Sequence, residues 1–219
     1  MRVLRNLIGL LGEFLITAGA FLLLFVAWQL WWTDVVAEAE AGRVVTQLQG
    51  NPNAWVQPDQ VQLGDAFAIV RIPRFGADFA RPLYEGTTRD VLQRGIGHYD
   101  GTQLPGGVGN FAMAGHRTTY GKPFNQIDKL KVGDVVLIET KDAYFVYRVT
   151  GHEVVPPTQT SVLLPVPDQP DATPTVAALT LTSCHPEFSA RERFIAFGKL
   201  DATYPRSKGV PASMLEVQG

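Results

Sequence analysis

The chain's only cysteine, Cys184, closes the alternating run AALTLTSC (177–184), and two arginines, Arg191 and Arg193, follow within ten residues. A lone cysteine cannot close an intramolecular disulfide, so it is either an inert buried thiol or a nucleophile. Guanidinium groups beside a thiol supply a positive field that favours thiolate and steadies a developing oxyanion, which tips the reading toward a nucleophile. Strand alternation sets Leu179, Leu181 and Ser183 on one face and Thr180, Thr182 and Cys184 on the other. The leucines suit a core, so Cys184 and Thr182 are expected to look into a polar groove.

A cysteine nucleophile needs a base or ion-pair partner and an oxyanion donor. His116, in AGHRTTYGKPF, ends an apolar run and opens a glycine-containing loop, the kind of place where a rigid scaffold presents catalytic groups. His185 adjoins Cys184, but neighbouring strand residues point to opposite faces. His98 in GIGHYDGT and His152 in VTGHEVV have no polar company in sequence. Arg191 and Arg193 share a face if their segment is extended, and spacing alone does not choose between them. Thr118, Thr119 and Tyr120 follow His116 closely enough to be substrate contacts, although Tyr120 would equally suit a core.

The elements that must position these groups are short apolar runs separated by turn signals: 66–75, 110–115, 134–140, 143–155, 177–184 and 193–200. Such strands predict an all-β sandwich or barrel. Thr87-Thr88-Arg89-Asp90 is a capping-box-like start for a short helix that Gly95 would end. The proline-rich stretch 154–175 cannot be regular strand. A loop of that length in a compact domain is usually functional or disordered, and the apolar SVLLPV within it argues against disorder, making Ser161 and Val162 candidate substrate contacts.

Ahead of the β-rich part, residues 7–32 form an apolar stretch of 26 residues with Glu13 as its only formal charge. About 20 residues suffice to cross a hydrocarbon core. A cleavable signal peptide is the competing assignment, but its apolar region runs to only about 15 residues. Arg2 and Arg5 precede the stretch and Asp34, Glu38 and Glu40 follow it, which places the N-terminus in the cytoplasm and the rest outside. Trp28, Trp31 and Trp32 then form the outer interfacial belt, and Glu13 lies near enough to the inner interface to snorkel. The expected organisation is a cytoplasmic N-terminus and single-pass anchor at 1–32, a helical stalk and linker at 33–64, a β-domain at 65–205 and a flexible tail at 206–219. Setting aside Arg2, Arg5 and Glu13 leaves 17 basic and 20 acidic residues outside, interspersed without a basic block, which argues against nucleic-acid binding. No Cys or His pair stands at ligand spacing and the acids are dispersed, so neither a metal site nor a cofactor is expected.

Taken together, these residues resemble a sortase, the membrane-anchored cysteine transpeptidases of Gram-positive surfaces, and within them the actinobacterial class E. The similarity covers roughly residues 66–200. TLTSC matches the family's TLxTC strand and supplies Cys184, AGHRTTYG supplies His116, and RFIAFGKL places Arg193 ahead of the last strand, with Arg191 as the alternative. Ser183 departs from the family's usual threonine but keeps the hydroxyl. No aspartate-aromatic lid motif precedes the β-rich part, which speaks against a pilin polymerase. The resemblance implies a closed eight-stranded sortase-type β-barrel with short helices, and a groove for a C-terminal sorting signal of LAxTG or LPxTG type on secreted proteins. It also implies a lipid-linked peptidoglycan precursor as amine acceptor. The competing class is an anchored, non-catalytic β-domain that binds a surface partner through another face.

Overall fold

The computed structural model describes residues 2–216. Eight strands close into a barrel: β1 (Ala66–Arg71), β2 (Arg81–Glu85), β3 (Ile96–His98), β4 (Gly109–Ala114), β5 (Val135–Glu139), β6 (Ala143–Val155), β7 (Ala177–His185) and β8 (Glu192–Pro205). Their order around the barrel is β1-β2-β3-β4-β7-β8-β6-β5. Two pairs, β2 with β3 and β4 with β7, run parallel, and the rest are antiparallel. The interior is filled by alternating apolar side chains from every strand, among them Phe67, Leu83, Ile96, Phe111, Met113, Ile138, Tyr147, Leu179 and Leu181.

The short α2 (Arg89–Leu92) begins after Thr88, but Thr88 makes no side-chain cap, so the capping box suggested by TTRD does not form. Of 154–175, Val154 and Val155 still belong to β6, and strand is excluded only from Pro156 onward, where Thr160–Leu163 make one 3-10 turn.

A single helix, α1 (Arg2–Gly50), runs from the apolar N-terminal stretch into the side of the barrel without a break. Its N-terminal part exposes Leu, Ile and Phe side chains all round, and its mean hydropathy reaches 2.2 over 18 residues. Residues 33–50, read from sequence as a stalk, are docked. Ala37, Ala41, Val45 and Leu48, spaced for one helical face, are buried, and Val45 and Leu48 meet Trp55 and Ile69. The alanines let the backbone come close. Glu38 pairs with Arg81 at 3.6 Å, and Asp34 pairs with Lys122 at 2.6 Å and accepts the Gly121 N–H at 3.1 Å. Gly121 has φ +74, a backbone conformation that suits glycine, and lies in van der Waals reach of Ala37 and Glu38. At the other end of the chain, Val210, Met214 and Leu215 lie against the outer face of β5 and β6.

Candidate active site

Three adjacent strands build the site. In the parallel pair, Ala114 is aligned with Thr182, and the Gly115 N–H donates to the Thr182 carbonyl at 3.1 Å. Continuing that alignment by two residues brings His116 beside Cys184. In the antiparallel pair, Cys184 is directly opposite Arg193. The two arginines differ in place: Arg193 lies inside β8 at the register position of Cys184, whereas Arg191 precedes the strand and is exposed.

Cys184 is partly exposed at the barrel rim. His116 is half-buried, and burial lowers its pKa below the ordinary imidazole value. Tyr120, held in a left-handed backbone conformation at φ +53, lays its ring 5.2 Å from the His116 ring, and its hydroxyl accepts from Gln93 Nε2 at 3.2 Å. His116 Nε2 is buried with no hydrogen-bond partner among the described residues. A buried, unpaired ring nitrogen is suited to exchanging a proton with a bound molecule. Arg193 Nη1 donates to the carbonyls of Ala190 and Glu192, both at 2.9 Å, which leaves Nε and Nη2 for an oxyanion or a peptide carbonyl.

The polar face expected along β7 is only partly a groove. Thr180 and Thr182 are buried, because the loop between β6 and β7 and the Tyr99 side chain cover them. Thr182 Oγ1 is within 3.0 Å of the Tyr99 hydroxyl and donates to the Met113 carbonyl at 3.3 Å, so its polar capacity is spent inside the protein. Val162 is buried against Val155 and Ile195, and its carbonyl accepts from Asn110 Nδ2 at 3.0 Å. Its side chain therefore anchors the loop rather than lining an open groove. Ser161 donates to Asp168 and fastens the same loop to itself. Thr118 and Thr119 line a cleft of about 370 Å³ shared with α1.

The remaining histidines have partners elsewhere. His98, which lacks polar neighbours in sequence, acquires them in space: Glu85 at 2.8 Å, the Gln103 carbonyl at 3.0 Å and Thr102 Oγ1 at 3.0 Å. His152 stacks on Phe194.

Two contributors were not singled out from sequence. Arg117 is buried, and its Nη1 donates to the Cys184 carbonyl at 3.4 Å and to His185 Nδ1 at 3.3 Å, while Nη2 meets Asp128 at 3.0 Å. Its position beside His116 was the available signal, but a guanidinium in a loop reads as solvated until the strands are paired. Asn110 is the other: its buried amide holds Val162 and Leu164 and accepts from Thr180, pinning the β6–β7 loop to the sheet.

The chain and its fold have counterparts among known proteins. A sortase-domain family model matches residues 70–201. Sortase SrtE1 of Streptomyces coelicolor is 42% identical over 214 residues, covering 94% of this chain and 60% of that protein. The chain thus spans about 60% of the length of that relative. Among solved structures, sortase E from Streptomyces avermitilis superposes with a TM-score of 0.64 at 40% identity, covering 71% of this chain and 99% of that one. The SrtA sortase from Actinomyces oris gives 0.68 at 42% identity, covering 73% and 93%.

Proposed function

The chain belongs to the sortase family, and from that premise we propose that it is a membrane-anchored cysteine transpeptidase that cuts a C-terminal sorting signal of LAxTG or LPxTG type between threonine and glycine. The threonine acyl group, held as a thioester on Cys184, is then transferred to the amine of a lipid-linked cell-wall precursor. One observation supports the reading most: Cys184 is paired with Arg193 across β7 and β8, and the β4–β7 register, which ends at Ala114 with Thr182, leaves His116 two residues beyond it as Cys184 is two beyond Thr182.

The Cys184 thiolate attacks the threonine carbonyl, and the oxygen of the tetrahedral intermediate takes hydrogen bonds from Arg193 Nε or Nη2. His116, as imidazolium, protonates the glycine nitrogen from Nε2 as the C–N bond breaks, leaving a thioester on Cys184. Neutral His116 then removes a proton from the incoming amine, which attacks the thioester and regenerates the thiolate. Tyr120 restricts water around the ring, and Thr118 and Thr119 border the approach. The apolar part of α1 crosses the membrane with its N-terminus in the cytoplasm, so the barrel works outside the cell, where a secreted protein and a lipid-linked amine meet.

Because α1 packs into the barrel, the test uses the full chain in detergent. Incubation with an LAxTG peptide and a glycine-type amine, read by mass spectrometry, is expected to give loss of the glycine-side fragment and amine transfer in the wild type and neither in Cys184→Ala. If wild type leaves LAxTG and LPxTG peptides intact and its thiol resists alkylation, the chain is a binding module instead.

A further inference from the structure

Phe188 is four residues beyond the nucleophile, on the loop from β7 to β8, and is 85% exposed with φ +64. A large apolar side chain held outward in a left-handed backbone conformation costs free energy in water unless something covers it. Its neighbours identify the cover. Phe188 lines one cleft with Thr118, Thr119 and Lys122 from the His116 loop and with Ala27 and Trp31 from α1. Ala27 is about 6 Å deeper along the helix than Trp31, by the rise of an α-helix. A loop that shares a cleft with both residues reaches the depth of the tryptophan belt.

We propose that the rim of the active site is a membrane-contact surface, with Phe188 inserted at the headgroup and acyl-chain boundary of the outer leaflet beside Trp31. This rests on the anchored reading above. The surface is continuous with the membrane-facing side of α1, whose Trp28, Trp31 and Trp32 are all exposed. Aromatic side chains favour that boundary. The same loop carries the exposed Arg191, whose charge suits lipid phosphate. Asp34, bonded to Lys122 and to the Gly121 N–H, fixes the loops against the helix one turn above Trp31, so the contact is preset by the fold. The reacting groups would then face the plane in which a lipid-linked amine and a membrane-tethered sorting signal both move.

The test uses the full chain reconstituted in phosphatidylcholine–phosphatidylglycerol vesicles. In a Cys184→Ala background, Phe188→Cys and Val176→Cys are each labelled with one fluorophore. Val176 precedes the far end of β7, about 25 Å from the site by strand rise. Lipids brominated near the headgroup are expected to quench the Phe188 label at least twofold more than the Val176 label. Equal quenching, with the protein still floating with the vesicles, overturns this contact and leaves the anchor standing. Failure to float overturns both. In a second measurement, Phe188→Ser is expected to slow transfer to a lipid-linked amine in vesicles several-fold while leaving transfer between a soluble peptide and a soluble amine unchanged in detergent. A raised KM for the soluble peptide would instead assign Phe188 to the peptide groove and overturn the proposal.

Discussion

Ser183 Oγ donates to the Gly115 carbonyl at 2.8 Å, joining the residue before the nucleophile to the residue before the histidine. Both are buried, and a Cβ at Gly115 would collide with the Phe124 ring at 2.7 Å, so the strand and loop meet with no room to spare. Ser183→Ala leaves the carbonyl buried without that partner, a loss of about 1–3 kcal/mol. Chemical denaturation should show it as a lower midpoint at unchanged slope, and transfer activity should fall on the order of tenfold as His116 loses its fixed distance from Cys184. Ser183→Thr keeps the hydroxyl and should retain more of the rate than Ser183→Ala, its added methyl costing some stability in so tight a site.

The lowered pKa of His116 comes from burial, which disfavours the imidazolium. In the unfolded chain the ring protonates near pH 6.5, so between that pH and the lower folded value the unfolded state binds more protons. Stability contributed by His116 is therefore present above about pH 6.5 and is lost as the pH falls through the folded pKa. A ring-proton titration by NMR in Cys184→Ala should place His116 below pH 6.5. Tyr120→Ser admits water and should move that midpoint upward, and with it the limb of the pH–rate profile governed by the imidazolium.

Arg117 touches both sides of the site, with its guanidinium also 5.9 Å from the centre of the Phe194 ring. Asp128 remains half-exposed and tolerates losing its partner, so Arg117→Met is expected to cost about 1–3 kcal/mol, chiefly from the Cys184 carbonyl, His185 and packing. Thermal melting should fall by about 2–10 °C for a chain of this size. Arg117→Lys should recover the Asp128 pair but not both contacts through Nη1, and so rescue melting more than kcat.

Glu153, on β6 under the β6–β7 loop, is pushed above the ordinary carboxyl range by burial first and by the charge of Asp168 second. A raised folded pKa means that its stabilising contribution is present below the unfolded pKa and is lost as the pH rises through the folded one. Glu153→Gln should therefore raise the melting temperature at neutral pH and change it little near pH 4. An unchanged melting temperature across that range would show that the two carboxyls are uncoupled.

The segments that form β1, β4, β5, β6, β7 and β8 were legible as short apolar runs between turn signals, β1, β4 and β5 because they are buried on both faces. β2 and β3 were not: Pro82 interrupts the first, and the second is three residues with a glycine at its centre, too short to show a period. Among the candidate site residues, Cys184 stood out as the single cysteine, whereas His116 was distinguished from three other histidines only by its loop setting and its motif. The choice of Arg193 over Arg191 needed the register of β7 with β8, since two arginines of the same type two positions apart differ only in what they face. The covering of Thr180 and Thr182 was hidden for a related reason. The residues that cover them, Val162 and Tyr99, are distant in sequence and arrive through Asn110 and a hydroxyl pair.

The parallel pairing of β4 with β7 joins segments 68 residues apart, Gly109 with Ala177 through Ala114 with Thr182. Contacts so distant along the chain are entropically costly to close and belong to the slow part of folding. Until they close, Cys184 is an ordinary thiol on an unpaired strand, with neither His116 nor Arg193 at hand. On the proposed reading, a newly made chain has no means of acylating itself before the barrel closes, and turnover would then report completion of that pairing.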